Sequence, residues 1–381
     1  MSARVSVGLA VRDAGVDAFA EAAGRAALGL GGERADLAVV FAGAANLAHA
    51  EEGLRIVRER LGADALVGCG AQGVVGGGRE LEDGGVAVWA AALPGARVAP
   101  FHLEALAGAG STVAIAGMPR TDAADAVVLL ADPYSFPAEA LLAEMALDQP
   151  GLPVIGGLAS AGGGPGAGAL MLGDELVTGG AVGVTLEGVD VQPCVSQGAR
   201  PIGPEMVVTA ADGNVIEELA SKPALERLKE AIAELDLAER ALAANGLLLG
   251  IVIDENKPEY ERGDFLIRGL VGVDEESGSL QVGERVRVGQ TVRLQVRDAD
   301  SADEDLREAL GRLPARPAGA LLFTCNGRGS HMFPVPDHDA RALDEAFGGA
   351  PVAGFFCAGE IGPVGRRNFV HGFTATMAVF G

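Results

Sequence analysis

The sequence predicts an α/β (α+β) protein: two related domains of mixed β-sheets covered by helices, built from repeated strand-helix-strand-turn-strand units. Two observations carry this expectation. Three segments share one internal grammar, and each opens with a continuous apolar run (residues 36–42, 126–131 and 319–324) of the kind that a strand buried on both faces requires. The 381 residues are 49% hydrophobic, enough apolar material to offset the ordering entropy of two domains without disulfides or a structural metal.

Residues 1–33 read as an N-terminal extension with a short helix over 16–28. In each copy a helix follows the apolar run, over about 46–61, 137–147 and 337–347. Asn46 and Asp337 offer N-cap oxygens, and Pro137 follows Ser135 at a first-turn position. A second short strand then enters a small-residue turn: Leu66-Val67-Gly68-Cys69-Gly70, Pro153-Val154-Ile155-Gly156-Gly157 and Pro351-Val352-Ala353-Gly354-Phe355. More strand follows at 86–93, at 169–172 with 180–186, and at 373–380. Residues 223–244 read as one long charged helix preceded by Ser221 as N-cap, and the domain boundary is placed just before it, giving domains over 34–221 and 222–381. Strand 247–253, a polar loop over 254–264, short strands from Phe265 to Val296 and a helix from Ser301, with Glu304 at capping-box spacing, lead into the third copy.

Charge and motifs remove several classes of function. Fifty-two acidic against 29 basic residues give a net charge of −23, a field that repels nucleic-acid backbones and anionic lipid, so neither is expected as a partner. No apolar run approaches the roughly 20 residues of a membrane span, the N-terminal apolar stretch is too short for a signal peptide, and a cytoplasmic protein with free thiols is expected. Gly68-Cys69-Gly70-Ala71-Gln72-Gly73 has the spacing of a dinucleotide fingerprint but runs towards a strand instead of a helix N-terminus. No lysine follows a glycine cluster at phosphate-loop spacing. The stretch from Leu158 to Gly162 has leucine where a nucleophile elbow needs glycine. Cys325, His331 and His338 lack the paired spacing of a zinc site, so no metal and no cofactor is expected.

The chemistry gathers near the C-terminus. Cys325-Asn326-Gly327-Arg328-Gly329-Ser330 ends an apolar strand and places a guanidinium and two glycines in one turn, where backbone N–H groups can cradle an anion and Arg328 can hold a carboxylate. The alternative is a tight turn whose arginine pairs with a carboxylate of the chain itself, such as Glu360. Phe355-Phe356-Cys357-Ala358-Gly359-Glu360-Ile361 is the matching turn, with Glu360 placed to take an amine and Phe356 either lining a pocket or buried in the core. A thiol enzyme is a second reading: Cys325 or Cys357 as nucleophile on an acyl or amide substrate, with His371 as base, although no base stands at a recognisable spacing. An acidic scaffold docking a basic protein is a third.

The order of these turns resembles the FIST sensory proteins. Residues 321–329, Phe333, Asp337, Phe347, 351–355, Gly359-Glu360-Ile361-Gly362-Pro363 and His371-Gly372-Phe373-Thr374 are similar to the C-terminal half of that module, as are 265–274, 289–294 and Arg297-Asp298-Ala299. Val67-Gly68-Cys69 with Arg79-Glu80-Leu81-Glu82, and 153–157 with Leu172-Gly173-Asp174, resemble its N-terminal half. The resemblance implies a stand-alone, two-part sensory module that binds a small amino-acid-like or carboxylate ligand and signals through a separate partner protein. On that reading Arg328 takes the carboxylate, Glu360 the amine, Asn326, Gly327, Gly329 and Phe356 complete the pocket, and Arg268 is a second anion-binding candidate. The N-terminal copy has Gln72-Gly73-Val74 where a Gly-Glu-Ile turn is expected, which argues against a second site there.

Overall fold

The computed structural model describes residues 3–12, 14–107, 113–164, 168–244 and 246–381. They form two compact units, one of Met1–Val195 with Leu306–Gly381 and one of Ser196–Asp305. In chain order the first unit holds β1 (Arg4–Ala10), α1 (Val16–Leu30), β2 (Leu37–Gly43), α2 (Ala50–Leu61), β3 (Ala65–Ala71), β4 (Val74–Gly76), β5 (Arg79–Leu81), β6 (Val86–Ala92), β7 (Arg97–Ala107), β8 (Val113–Ala116), β9 (Ala126–Ala131), α3 (Ala138–Asp148), β10 (Val154–Leu158), β11 (Leu170–Leu172), β12 (Glu175–Val177), β13 (Ala181–Glu187) and β14 (Val191–Gln197). The second unit holds β15 (Ala199–Asp212), β16 (Val215–Leu219), β17 (Lys222–Pro223), α4 (Ala224–Glu234), α5 (Leu237–Ala244), β18 (Leu247–Val252), β19 (Phe265–Asp274), β20 (Ser279–Val282) and β21 (Thr291–Arg297). Helix α6 (Ala299–Gly311) leads back to the first unit, which ends with β22 (Gly319–Cys325), α7 (His338–Ala346), β23 (Val352–Cys357), β24 (Glu360–Val364), β25 (Arg367–His371) and β26 (Thr374–Phe380).

The first unit is three copies of one motif, and each copy lends its hairpin to another. The sheets run β1-β6-β2-β3-β11-β12, β25-β24-β10-β9-β13-β7-β8 and β14-β26-β22-β23-β4-β5. The first copy's hairpin β4-β5 joins the third sheet, the third copy's β24-β25 joins the second, and the second copy's β11-β12 joins the first, which closes a cycle. The inner faces of all three sheets share one core, in which Phe41, Phe323 and Phe355 meet at ring-centroid distances of 4.9 to 6.3 Å. Helices cover the outer faces: α1 and α2 on the first, α3 on the second, α6 and α7 on the third.

The recurring glycine has a steric cause. A Cβ on Gly68, Gly156 or Gly354 would stand 2.2, 1.8 or 1.7 Å from the carbonyl oxygen of Val40, Leu129 or Leu322 on the parallel neighbour, so no larger residue fits. This contact aligns the three copies residue by residue.

Two helices differ from expectation. Residues 223–244 form α4 and α5, because Asp236 accepts the N–H of Glu239 at 2.8 Å and caps a new helix. The chain before α2 is a 3₁₀ turn over Ala44–His49, with Asn46 spent on the N–H of Gly15 and the carbonyl of Gly85 instead of on a cap. The second unit is an antiparallel sheet in the order β15-β21-β18-β19-β20-β16-β17. Strand β15 also pairs with β16, through Val208–Asp212, while its Ala199–Val207 stretch pairs with β21, which closes the strand order into a six-stranded barrel.

Candidate functional site

Aligned on the three glycines, the C-terminal strand ends of the copies can be compared position by position. Six residues beyond Val40, Leu129 and Leu322 stand Asn46, Ser135 and Arg328. Each reaches the turn before the last strand of its copy: Asn46 donates to Gly85 O at 3.3 Å, Ser135 Oγ accepts the Gly180 N–H at 2.9 Å, and Arg328 Nη1 approaches Phe373 O at 3.5 Å. The second copy keeps a buried carboxyl of its own, Asp132, which accepts the Ser135 hydroxyl at 2.5 Å, and a left-handed Ala169 with φ 44°; the third differs from both in three ways.

The first difference is an acid in the core. Val75, Met171 and Ile361 pair opposite the three glycines, and the residues just before them are Val74, Leu170 and Glu360. Val74 and Leu170 belong to the shared apolar core, so the third copy places a carboxyl, 0% exposed, where the others place valine and leucine. Its Oε2 accepts the N–H and hydroxyl of Thr374 at 3.2 and 2.9 Å. Oε1 receives no hydrogen bond from any N–H or O–H; the Cys325 thiol, a weak donor, lies against the carboxyl. Burial outweighs the Thr374 hydrogen bonds and pushes the Glu360 pKa up to about 8.

The second difference is a closed ion pair. Arg328 is 0% exposed and Asp339 1%, and the guanidinium grips the carboxylate bidentately, Nε to Oδ2 at 2.7 Å and Nη2 to Oδ1 at 2.8 Å. Thr324 Oγ1 donates to Asp339 Oδ2 at 2.7 Å, and His338, stacked on Phe333, touches Oδ1. Burial works against the Asp339 charge, but the Arg328 cation and these hydrogen bonds outweigh it and hold the carboxyl well below its usual range. Beside the pair, Glu80 receives the Ala340 N–H at 2.9 Å at the start of α7. Burial, with the Asp339 charge, pushes its pKa up to about 7.

The third difference is backbone strain. The turn residues four before Val88, Gly183 and Met377 are Gly84, Gly179 and Phe373, with φ of 80°, 81° and 63°. Two copies use glycine for this left-handed position, and the third holds a phenylalanine there at a cost of roughly 1–2 kcal/mol. A Cβ on Gly327 would meet the Phe373 ring at 2.8 Å, so the ring and the loop are fitted to each other.

The residues singled out from sequence fall as follows. Cys325, Asn326, Gly327, Arg328, Gly329 and Glu360 are gathered at the third strand end, with Asn326 N donating to Cys357 O. The arginine's partner is Asp339 and not Glu360. Gly329 adopts φ 55°, and the loop is pinned by Glu82, which accepts the N–H and hydroxyl of Ser330. Phe355 and Phe356 are core residues. Cys325 and Cys357 are buried; burial, then the Glu360 charge, pushes the Cys325 pKa up to about 12 and raises that of Cys357. His371 places Nε2 3.0 Å from Gly362 O. Arg268 belongs to the second unit, where it pairs with Glu284 at 2.8 Å. Among the described residues no three His, Cys, Asp or Glu are grouped as for a metal ion. Asp339, Glu80, Glu82, Phe373 and Thr374 were given no role in the site from sequence, although all but Asp339 lie in the stretches that carry the family resemblance.

Comparison with known proteins is consistent with this architecture. Residues 36–222 match the FIST N domain and residues 224–363 the FIST C domain. An uncharacterized protein of Mycobacterium bovis, Mb0898c, is 46% identical over 383 residues, covering 99% of this chain and 98% of its own. An uncharacterized protein of Mycobacterium tuberculosis, Rv0628c, is 46% identical over 99% of both chains. FIST domains are generally described as sensory, small-ligand-binding domains, and no helix among the described residues is long and apolar enough to cross a membrane. With both halves matched along most of its length, the chain belongs to the FIST family.

Proposed function

We propose that this chain is a sensory module whose small ligand, an amine-bearing metabolite of the amino-acid kind, is received at the strand end of the third copy. The observation that supports this most is the broken symmetry: of three matching strand ends, one carries a buried carboxyl in place of Val74 and Leu170, a strained phenylalanine in place of Gly84 and Gly179, and a closed ion pair. A buried ion pair and a strained aromatic that the matching turns of the other two copies do without point to a role other than folding. The place agrees with the rule that ligands of parallel strands bind beyond their carboxyl ends. Arg328 shapes the site through Asp339, and Glu360 meets the ligand. Residues of both family halves contribute, because Glu82 fastens the loop from the N-terminal half. The ligand shifts the loop between two arrangements by differential affinity, and a separate partner protein reads the change.

The raised pKa of the thiols at the same strand end favours this reading over a thiol enzyme, since the thiolate is the nucleophile. The test is a thermal-shift titration of wild type and Phe373→Ala against a metabolite panel. At 100 times its Kd a ligand adds about 2.7 kcal/mol of stability. A selective shift in wild type that disappears in a folded Phe373→Ala is the expected result; an equal shift in both, or none with any compound, contradicts the reading.

A further inference from the structure

Hydrogen-bond capacity at the third strand end is lopsided, and the imbalance identifies the ligand. Most of the turn's donors are used. Arg328 gives Nε and Nη2 to Asp339, and Thr324 gives its hydroxyl to the same carboxylate. The N–H of Asn326 goes to Cys357 O, that of Gly327 to Cys325 Sγ at 3.4 Å, that of Arg328 to Cys325 O, and that of Ser330 to Glu82. The turn that offers an anion cradle in sequence is therefore spent on the chain itself.

Acceptors are left over. Glu360 Oε1, fully buried, receives no N–H or O–H and has only the weak Cys325 thiol beside the carboxyl, and Asn326 Oδ1, on a half-buried residue of the same strand end, lacks a hydrogen-bond partner. A buried acceptor without a donor costs about 1–3 kcal/mol, and two at one strand end favour a donor-rich ligand. Charge points the same way. The one buried cation there is cancelled by Asp339, Glu82 is negative, and Glu360, neutral at pH 7 while alone, ionises beside an ammonium group. The Phe373 ring on the Gly327 backbone adds an aromatic surface that suits a cation.

We infer that the site reads its ligand by a primary ammonium group, donated to Glu360 Oε1 and Asn326 Oδ1, and that a carboxylate on the ligand is dispensable. The inference rests on the sensory reading above and narrows its ligand to primary amines, amino acids being one subset.

Thermal-shift titration with matched sets separates the two. One set is phenylalanine, phenethylamine and 3-phenylpropionate; another is leucine, isopentylamine and 4-methylpentanoate. The expected result is a shift with an amine at least as large as with its amino acid and none with the matching acid. Asn326→Asp, which puts a full charge on a half-buried acceptor, is expected to tighten amine binding several-fold. Glu360→Gln, which keeps an acceptor for Thr374, is expected to weaken it at least tenfold. A shift with an acid and not with its amine overturns the ammonium inference and leaves the sensory reading standing, as does an amine whose affinity is unchanged in both variants. No shift with these sets or with the wider metabolite panel overturns both.

Discussion

Replacing Arg328 with methionine tests the ion pair on which the third strand end is built. The change leaves Asp339, 1% exposed, as a buried carboxylate whose remaining partners are Thr324 and His338. Breaking a buried pair by removing one partner costs about 3–5 kcal/mol, because the other charge stays desolvated. At about 2–4 °C per kcal/mol for a unit of this size, the melting temperature at pH 7 falls by roughly 6–20 °C. The loss has a pH signature. Without Arg328, burial pushes the Asp339 carboxyl up, so acid relieves the variant by protonating it, and the gap to wild type narrows between pH 7 and pH 5. The double variant Arg328→Met with Asp339→Leu loses less than Arg328→Met alone, since the orphan charge goes with it. Urea and thermal unfolding followed by circular dichroism read all of this. A single variant within 1 kcal/mol of wild type, or a gap that widens in acid, refutes the reasoning.

Three further outcomes follow from the same geometry. Glu360 and Glu80 have folded pKa values of about 8 and about 7, above the ordinary 4.5, so their contribution to stability is full below pH 4.5 and is lost as pH rises through 8; Glu360→Gln makes unfolding curves between pH 6 and 9 flatter, and an unchanged slope contradicts the assignment. At Phe373, with φ 63°, glycine gives a more stable protein than alanine by about 1 kcal/mol, because alanine keeps the strain without the ring; the opposite order on chemical denaturation counts against a strained turn. Alkylation in native buffer at pH 7.5 spares Cys325 and Cys357 until the protein unfolds, and fast labelling of Cys325 restores the thiol-enzyme reading.

The three-copy grammar was legible because it rests on local signals. Buried strands read as apolar runs, and Gly68, Gly156 and Gly354 recur because a neighbouring carbonyl leaves no room for a Cβ. The exchange of hairpins was not legible. The three-residue strand Val74–Gly76 pairs with its own hairpin partner in any arrangement, and nothing in its sequence says that its other edge meets β23. The break between α4 and α5 rests on the single cap at Asp236, a signal hidden inside an otherwise helical run. At the site, the turn at Arg328 and the acid at Glu360 stood out by type and spacing. The arginine's partner did not, because Asp339 lies on the opposite side of a twelve-residue connection from β22 and looks in sequence like any acid in the first turn of a helix. Phe373 became informative only when the sheet register set it against Gly84 and Gly179.

The central claim is that one strand end of three receives the ligand, and amide hydrogen exchange with and without the strongest-binding amine tests it most directly. The account predicts slower exchange over residues 325–330, 338–340 and 371–374, with no change over the matching residues 43–46 and 132–135. Protection confined to those other strand ends, or to the barrel of the second unit, would contradict it.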